Sequence, residues 1–97
     1  MNTHRLESQP FQGGSSARYR AARRELRTQA ARLLDRPLAQ VRIAPAALTL
    51  ERRSDDRWLP VSRDVVDEHE WRIRHTPNAV YRLTITIRTA QATLRRD

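Results

Sequence analysis

The apolar positions of the chain change their period once. In the first third Tyr19, Ala22, Leu26, Ala30 and Leu33 recur at spacings of three and four. At about 100° per residue they fall on one narrow face of a helix. Ser15 or Ser16 offers a hydroxyl to the first unpaired amides, and Pro37 disfavours helical geometry in the residue before it. The pattern therefore predicts one long helix from residue 15 to about residue 36. Leu34 joins Tyr19, Leu26 and Leu33 as the large side chains expected to pack beneath it.

Beyond Pro37 the period is two. Val41 and Ile43 alternate with Gln40 and Arg42, which predicts a short strand. Leu48 and Leu50 alternate with Thr49 and Glu51, and Trp58, Leu59 and Val61 follow the polar run Arg53-Ser54-Asp55-Asp56. Setting Leu50 opposite Leu59 and Leu48 opposite Val61 keeps the apolar groups together and predicts a hairpin with a four-residue loop. Pro60 cannot donate to a ladder, so its strand belongs at a sheet edge. Residues 62 to 70 fit a loop, a helical turn or a strand. Trp71, Ile73 and His75 then alternate towards the turn residues Thr76-Pro77-Asn78-Ala79, and Tyr81, Leu83, Ile85 and Ile87 alternate after them. Matching the two apolar faces sets Ile73 opposite Leu83 and Trp71 opposite Ile85.

Residues 1 to 14 hold both glycines of the chain and only Leu6 and Phe11 as sizeable apolar groups. They read as a disordered tail ahead of a single domain at 15 to 97. The fold expected is α+β, one long N-terminal helix packed on a four- to five-stranded antiparallel sheet.

Charge adds a second layer. The formal net charge is +8, and all 19 basic residues are arginine. A GC-rich coding sequence accounts for arginine in place of lysine but not for the excess of base over acid. That excess favours polyanionic partners, and the planar guanidinium fork suits phosphate and carboxylate. Residues 15 to 36 carry seven arginines against Glu25 and Asp35, a net of +5. Arg20, Arg23, Arg24 and Arg27 are neighbours on the helix surface, where like charges three or four apart repel by about 0.2–0.5 kcal/mol per pair. A bound anion would relieve this; a solvated helix face is the bland alternative. In the register above, Arg74 sits opposite Arg82 and Arg72 lies on the same outer face, a second basic surface with the same two readings.

Asp64, Asp67, Glu68 and Glu70 interrupt the basic pattern. Pairing with the arginines is their simplest role. With His69 they have the donor types of a metal site but not a convincing spacing, so no metal or cofactor is expected. His69 and His75 share the parity of Trp71 and Ile73, which places them at the rim of an apolar face rather than in acid–base work. Past Gly14 there is no glycine for a phosphate loop, a dinucleotide fingerprint or a nucleophile elbow. An enzyme is therefore not expected. Trp58, Trp71 and Tyr81 on strands suit a core, or a base-stacking platform. The chain has no cysteine, and no apolar run approaches the ~20 residues of a membrane helix. It is read as cytoplasmic, with no membrane partner.

Two resemblances concern the C-terminal half. Val65-Val66-Asp67-Glu68 through Ala79-Val80-Tyr81-Arg82-Leu83, following a helix and a turn leading to Trp58, is similar in layout to gas vesicle protein O. That resemblance implies an accessory role in gas vesicle assembly or expression. It covers less than half the chain, and the family's Arg-Ile-Pro turn is not matched, since Arg74 follows Arg72-Ile73. Trp71-Arg72-Ile73-Arg74 with Val80-Tyr81-Arg82-Leu83 resembles the hairpin of RelE/ParE-type toxins, whose basic sheet residues contact RNA or a target protein. The hairpin at 48 to 61 does not fit that order of elements.

The functional expectation is a small, non-enzymatic basic protein that contacts a polyanion, with nucleic acid as the leading partner. Arg20, Arg23, Arg24, Arg27, Arg72, Arg74 and Arg82 are the residues expected to do so. The alternative is an adaptor or assembly factor docking an acidic protein surface, gas vesicle protein O-like accessory proteins being one example. Self-association into a homo-oligomer is compatible with either.

Overall fold

The helix forms where the period-3.6 pattern places it. In the structure, a computed structural model describing residues 2–14, 16–62, 66–67, 72–73 and 79–89 (66–67 and 72–73 as backbone only), α1 runs Ser16–Leu34. Alanine, arginine and leucine dominate it, all good helix formers. It ends in a Schellman motif. The Arg36 N–H donates to the Ala31 carbonyl at 3.0 Å, the Asp35 N–H donates to the Arg32 carbonyl at 3.3 Å, and Asp35 adopts a φ of 54°. Tyr19, Ala22, Leu26, Ala30 and Ala31 are buried. Leu33 is only half-buried and Leu34 is 37% exposed, so the last turn contributes less to the core than its spacing suggests.

The sheet has five antiparallel strands. Those described are β1 (Asn2–Glu7), β2 (Phe11–Gln12), β3 (Thr49–Ser54), β4 (Arg57–Val61) and β7 (Val80–Thr89); a separate two-stranded pair joins β5 (Val66–Asp67) to β6 (Arg72–Ile73). The order is β1-β7-β3-β4, with β2 beside β7 on the β1 side. Helix α1 packs on β7, β1 and β2, giving the α+β architecture expected. Its core joins Tyr19, Leu26, Leu48, Leu50, Tyr81, Leu83 and Ile85. Phe11 meets Tyr19 edge-on at 6.3 Å and Tyr81 at 6.4 Å between ring centroids.

Four sequence expectations are corrected. The supposed tail is a strand with a bulge. His4 and Leu6 face inward while Thr3, Arg5 and Glu7 face out, and β1 pairs Leu6 with Ile85 and Glu7 with Thr84. Phe11 then pairs with Tyr81, so three residues, Ser8 to Pro10, oppose two of β7. Buried Ser8 completes the ladder there. Its N–H donates to the Leu83 carbonyl at 2.9 Å, and its Oγ accepts from the Leu83 N–H at 3.0 Å.

The Trp71–His75 to Tyr81–Ile87 hairpin does not form as expected. Leu83 lies between Leu50 and Ser8, and Ile73 pairs with Val66. The N-terminal strand supplies the partner that a purely local pairing had drawn from residues 71 to 75.

Residues 41 to 44 form no strand. They are a connection between two 3₁₀ turns, Leu38–Gln40 and Pro45–Ala47, because prolines at 37 and 45 bracket the segment and initiate turns. Finally, the β3–β4 hairpin is tighter than expected. Leu50 pairs with Val61 and Ser54 with Arg57, leaving Asp55-Asp56 as a two-residue loop with Asp55 at φ 57°. The shift of two residues keeps every side chain on its expected face but leaves Leu59 47% exposed. Strand β4 is an edge, as Pro60 requires.

Candidate functional site

Two arginine-bearing surfaces result, one on each side of the sheet. The first is on α1. Arg20, Arg23, Arg24 and Arg27 line one open groove of about 350 Å³. A second depression, of about 640 Å³, shares Arg23 and Arg27 with it and adds Arg42, Ile43 and Ala44. Arg42 therefore extends the site onto a second wall, the loop after α1. Its alternation with Val41 and Ile43 made it look like an ordinary outward strand residue, so nothing in the local sequence set it apart.

The groove is built by the connection packed beside the helix. Arg27 donates from Nε to the Val41 carbonyl at 2.7 Å and from Nη2 to the Leu38 carbonyl at 2.9 Å. Arg23 donates from Nη2 to the Ile43 carbonyl at 3.4 Å. Carbonyls orient a guanidinium without neutralising it. The loop carbonyls gain donor partners, and the arginines gain fixed positions. Arg20 and Arg24 are exposed, and their guanidinium groups have no partner among the described residues.

The acids of the helix are turned elsewhere. At 3.6 residues per turn, Glu25 lies about 160° around the axis from Arg27. Its carboxylate accepts the Gln9 N–H at 3.0 Å and the Gln29 amide at 3.2 Å, tying α1 to the bulge between β1 and β2. Gln29 also donates to the Glu7 carbonyl at 2.9 Å on that flank. Asp35 sits in the left-handed position that ends the helix.

The second surface is the outer face of the sheet, where carboxylates meet Arg5 and Arg82. Arg82 pairs with Glu51 at 2.7 Å and Glu7 at 3.2 Å; Arg5 pairs with Glu51 at 2.8 Å and Glu7 at 3.7 Å. Two cations and two carboxylates thus close a neutral ring across β1, β7 and β3. Glu51 and Arg82 are its most buried members, with side chains 12% and 15% exposed. Arg82 also lies over the Trp58 ring, 4.5 Å from its centroid. The residue expected opposite Arg82 was Arg74; across the ladder it has Glu51. Opposite charges attract where like charges would have repelled. Trp58, expected in the core with Tyr81, is half-buried on this outer face.

Of the seven arginines singled out from the sequence, the structure thus gathers Arg20, Arg23, Arg24 and Arg27 and separates Arg82 from them. The backbone of Arg72 pairs with Asp67 in β6. Arg74, Trp71, His69, His75, Asp64, Glu68 and Glu70 lie outside the described residues. Burial raises the Tyr81 phenol above the ordinary tyrosine value, and Arg52, its partner across the ladder, pulls it down. Among the described residues no helix is long and apolar enough to cross a membrane.

Comparison with known protein families, curated proteins and solved structures returned no match. No role is carried to this chain from another. The toxin-like resemblance loses its footing as well, because the hairpin it depends on is replaced by the pairing of β7 with β1, β2 and β3.

Proposed function

We propose that the chain is a non-enzymatic nucleic-acid-binding protein whose groove arginines contact backbone phosphates. One observation carries this reading: Arg20, Arg23, Arg24 and Arg27 line a common groove while the helix carboxylate nearest in sequence, Glu25, is bonded on the opposite flank. Arg20 and Arg24, whose guanidinium groups have no partner among the described residues, repel each other, and phosphates remove that cost. Binding of this kind releases condensed counterions and weakens steeply with salt. Fluorescence polarisation with labelled DNA or RNA across a salt series is the test. If each of Arg20, Arg23, Arg24, Arg27 and Arg42 meets a phosphate on a duplex, log K against log salt has a slope of about −4.5. No binding at low salt would overturn the reading. A reducing, cytoplasmic setting fits the cysteine-free sequence.

A second reading rests on a separate observation. At the end of α1, Thr28, Ala31, Arg32, Asp35, Arg36, Pro37 and Leu38 line a depression of about 490 Å³. Leu34 and Leu38 are 37% and 42% exposed beside Arg32 and Arg36. Apolar groups rimmed by arginine suit an acidic protein partner, the adaptor role. Nucleic-acid affinity that is insensitive to the groove arginines would favour this second reading.

A further inference from the structure

We infer that the arginine groove takes the backbone of a nucleic-acid duplex in preference to a single strand, without regard to base sequence. The inference rests on the nucleic-acid reading above and names the ligand class of the same site.

The first argument is how the cations are held. Arg27 is fixed by two loop carbonyls and Arg23 by a third. Arg27 commits two of its five N–H donors to the loop, leaving three for a phosphate among the described residues. Arg42 faces them from the loop wall of the adjoining depression. Cations held at set spacings match a ligand whose phosphates are also at set spacings. A duplex offers that, whereas a flexible strand must first be ordered.

The second argument concerns what would offset that ordering. Proteins that grip single strands do so largely by stacking bases on aromatic rings, at about 1–3 kcal/mol per base. The described rings are committed elsewhere. Half-buried Phe11 meets the buried rings of Tyr19 and Tyr81. Trp58 is half-buried on the outer sheet face under Arg82, which is itself paired with Glu7 and Glu51. The described walls of the groove hold no Asn, Gln, Asp or Glu to read base edges, and its guanidinium groups are assigned to the phosphates.

Charge density decides in the same direction. Arg20 to Arg27 spans about 10 Å of helix axis, at about 1.5 Å per residue. Over that length a duplex presents about six phosphates and one strand about three. Even with equal contacts, the salt slopes differ, about −0.9 against −0.7 per phosphate. Five contacts therefore favour the duplex by about tenfold at 0.1 M salt relative to 1 M, before the density difference is counted.

The test compares a labelled mixed-sequence duplex, its two separated strands chosen to be unstructured, and a duplex of scrambled sequence, in DNA and in RNA. Polarisation at about 0.1 M salt should show the duplex bound at least about tenfold more tightly than either strand, with the scrambled duplex equal within about threefold. A strand that binds as well as the duplex overturns the inference while leaving nucleic-acid binding in place. A scrambled duplex that binds about tenfold worse overturns the sequence independence and points to base readout. If neither form binds even at low salt, the proposed function itself fails, an outcome distinct from the other two.

Discussion

The groove on α1 and the outer face of the sheet are both built from arginine, and they differ in what the guanidinium groups touch. On the sheet Arg5 and Arg82 meet Glu7 and Glu51, and the four side chains cancel. In the groove Arg27 meets two backbone carbonyls, which fix direction but remove no charge. A count of basic residues treats the two surfaces alike. The partner atom separates them: a carboxylate converts arginine into a fastener, and a carbonyl leaves it a fastener that can still attract an anion.

The largest expected effect tests that separation directly. Replacing Arg20 and Arg24 together by glutamine removes two exposed cations and disturbs no described bond of their guanidinium groups. Duplex affinity at about 0.1 M salt should fall by about 60-fold, and the salt slope should flatten by about 1.8. Arg82→Gln in the same assay should change affinity by less than about twofold, since its charge is already met. Equal losses from the two surfaces would erase the distinction. Arg27 is a poor choice for this experiment, because its loss also unfastens the 38–44 connection.

The second effect reverses the roles. Arg82→Ala leaves Glu51, 12% exposed, without its nearest cation and uncovers Trp58. Removing one member of a largely buried, hydrogen-bonded charge pair costs about 1–3 kcal/mol. The denaturation midpoint should drop accordingly and Trp58 fluorescence should change, while Arg24→Gln changes stability by less than about 0.5 kcal/mol. A stable Arg82→Ala protein would mean that the ring is a solvated set of weak surface pairs.

These two surfaces were not equally legible in the sequence. The helix face was, because Tyr19, Ala22, Leu26 and Ala30 and the intervening arginines obey a local period, and a helix surface is determined by nearest neighbours along one element. The ring was not. Glu7, Glu51 and Arg82 come from three strands, and their meeting depends on pairing β1 with β7 across most of the chain. The signal for β1 was present, His4 and Leu6 alternating with Thr3, Arg5 and Glu7, but the adjacent glycines and proline suggested a tail. The hairpin at 48 to 61 shows the intermediate case. Period two assigned each side chain its face, whereas loop length set the register, and Asp55 could take the left-handed geometry that allows two loop residues instead of four. Arg42 and the loop carbonyls were invisible for a further reason: an acceptor's direction is a property of the backbone path, not of residue type.

A third substitution asks how much of the groove is fastening. Arg27→Lys keeps the positive charge but cannot reach both the Val41 and Leu38 carbonyls with a planar fork. Stability should fall by about 1 kcal/mol, one hydrogen bond's worth. The salt slope should stay within about 0.5 of the unchanged protein, because a cation remains in place. A slope flattened by a full contact would mean that the guanidinium geometry, not the charge alone, engages the phosphate.

The smallest effect extends the comparison to a third kind of arginine partner. On the inner face of the sheet Arg52 stands across from Tyr81, whose buried phenol is held above its ordinary pKa by desolvation and drawn back by that cation. A folded-state value raised above the unfolded one favours the protonated phenol. The associated stability is complete below the unfolded value, about 10, and is lost as pH rises through the higher folded value. Urea midpoints measured from pH about 8 to 11 should therefore decline at the alkaline end, and Tyr81→Phe should flatten that limb. Arg52→Gln should steepen it, since removing the cation leaves only the effect of burial and raises the phenol further. If Tyr81→Phe keeps the full alkaline slope, ionisation elsewhere causes the decline, and Arg52 then belongs with the exposed surface charges whose removal the fold does not register.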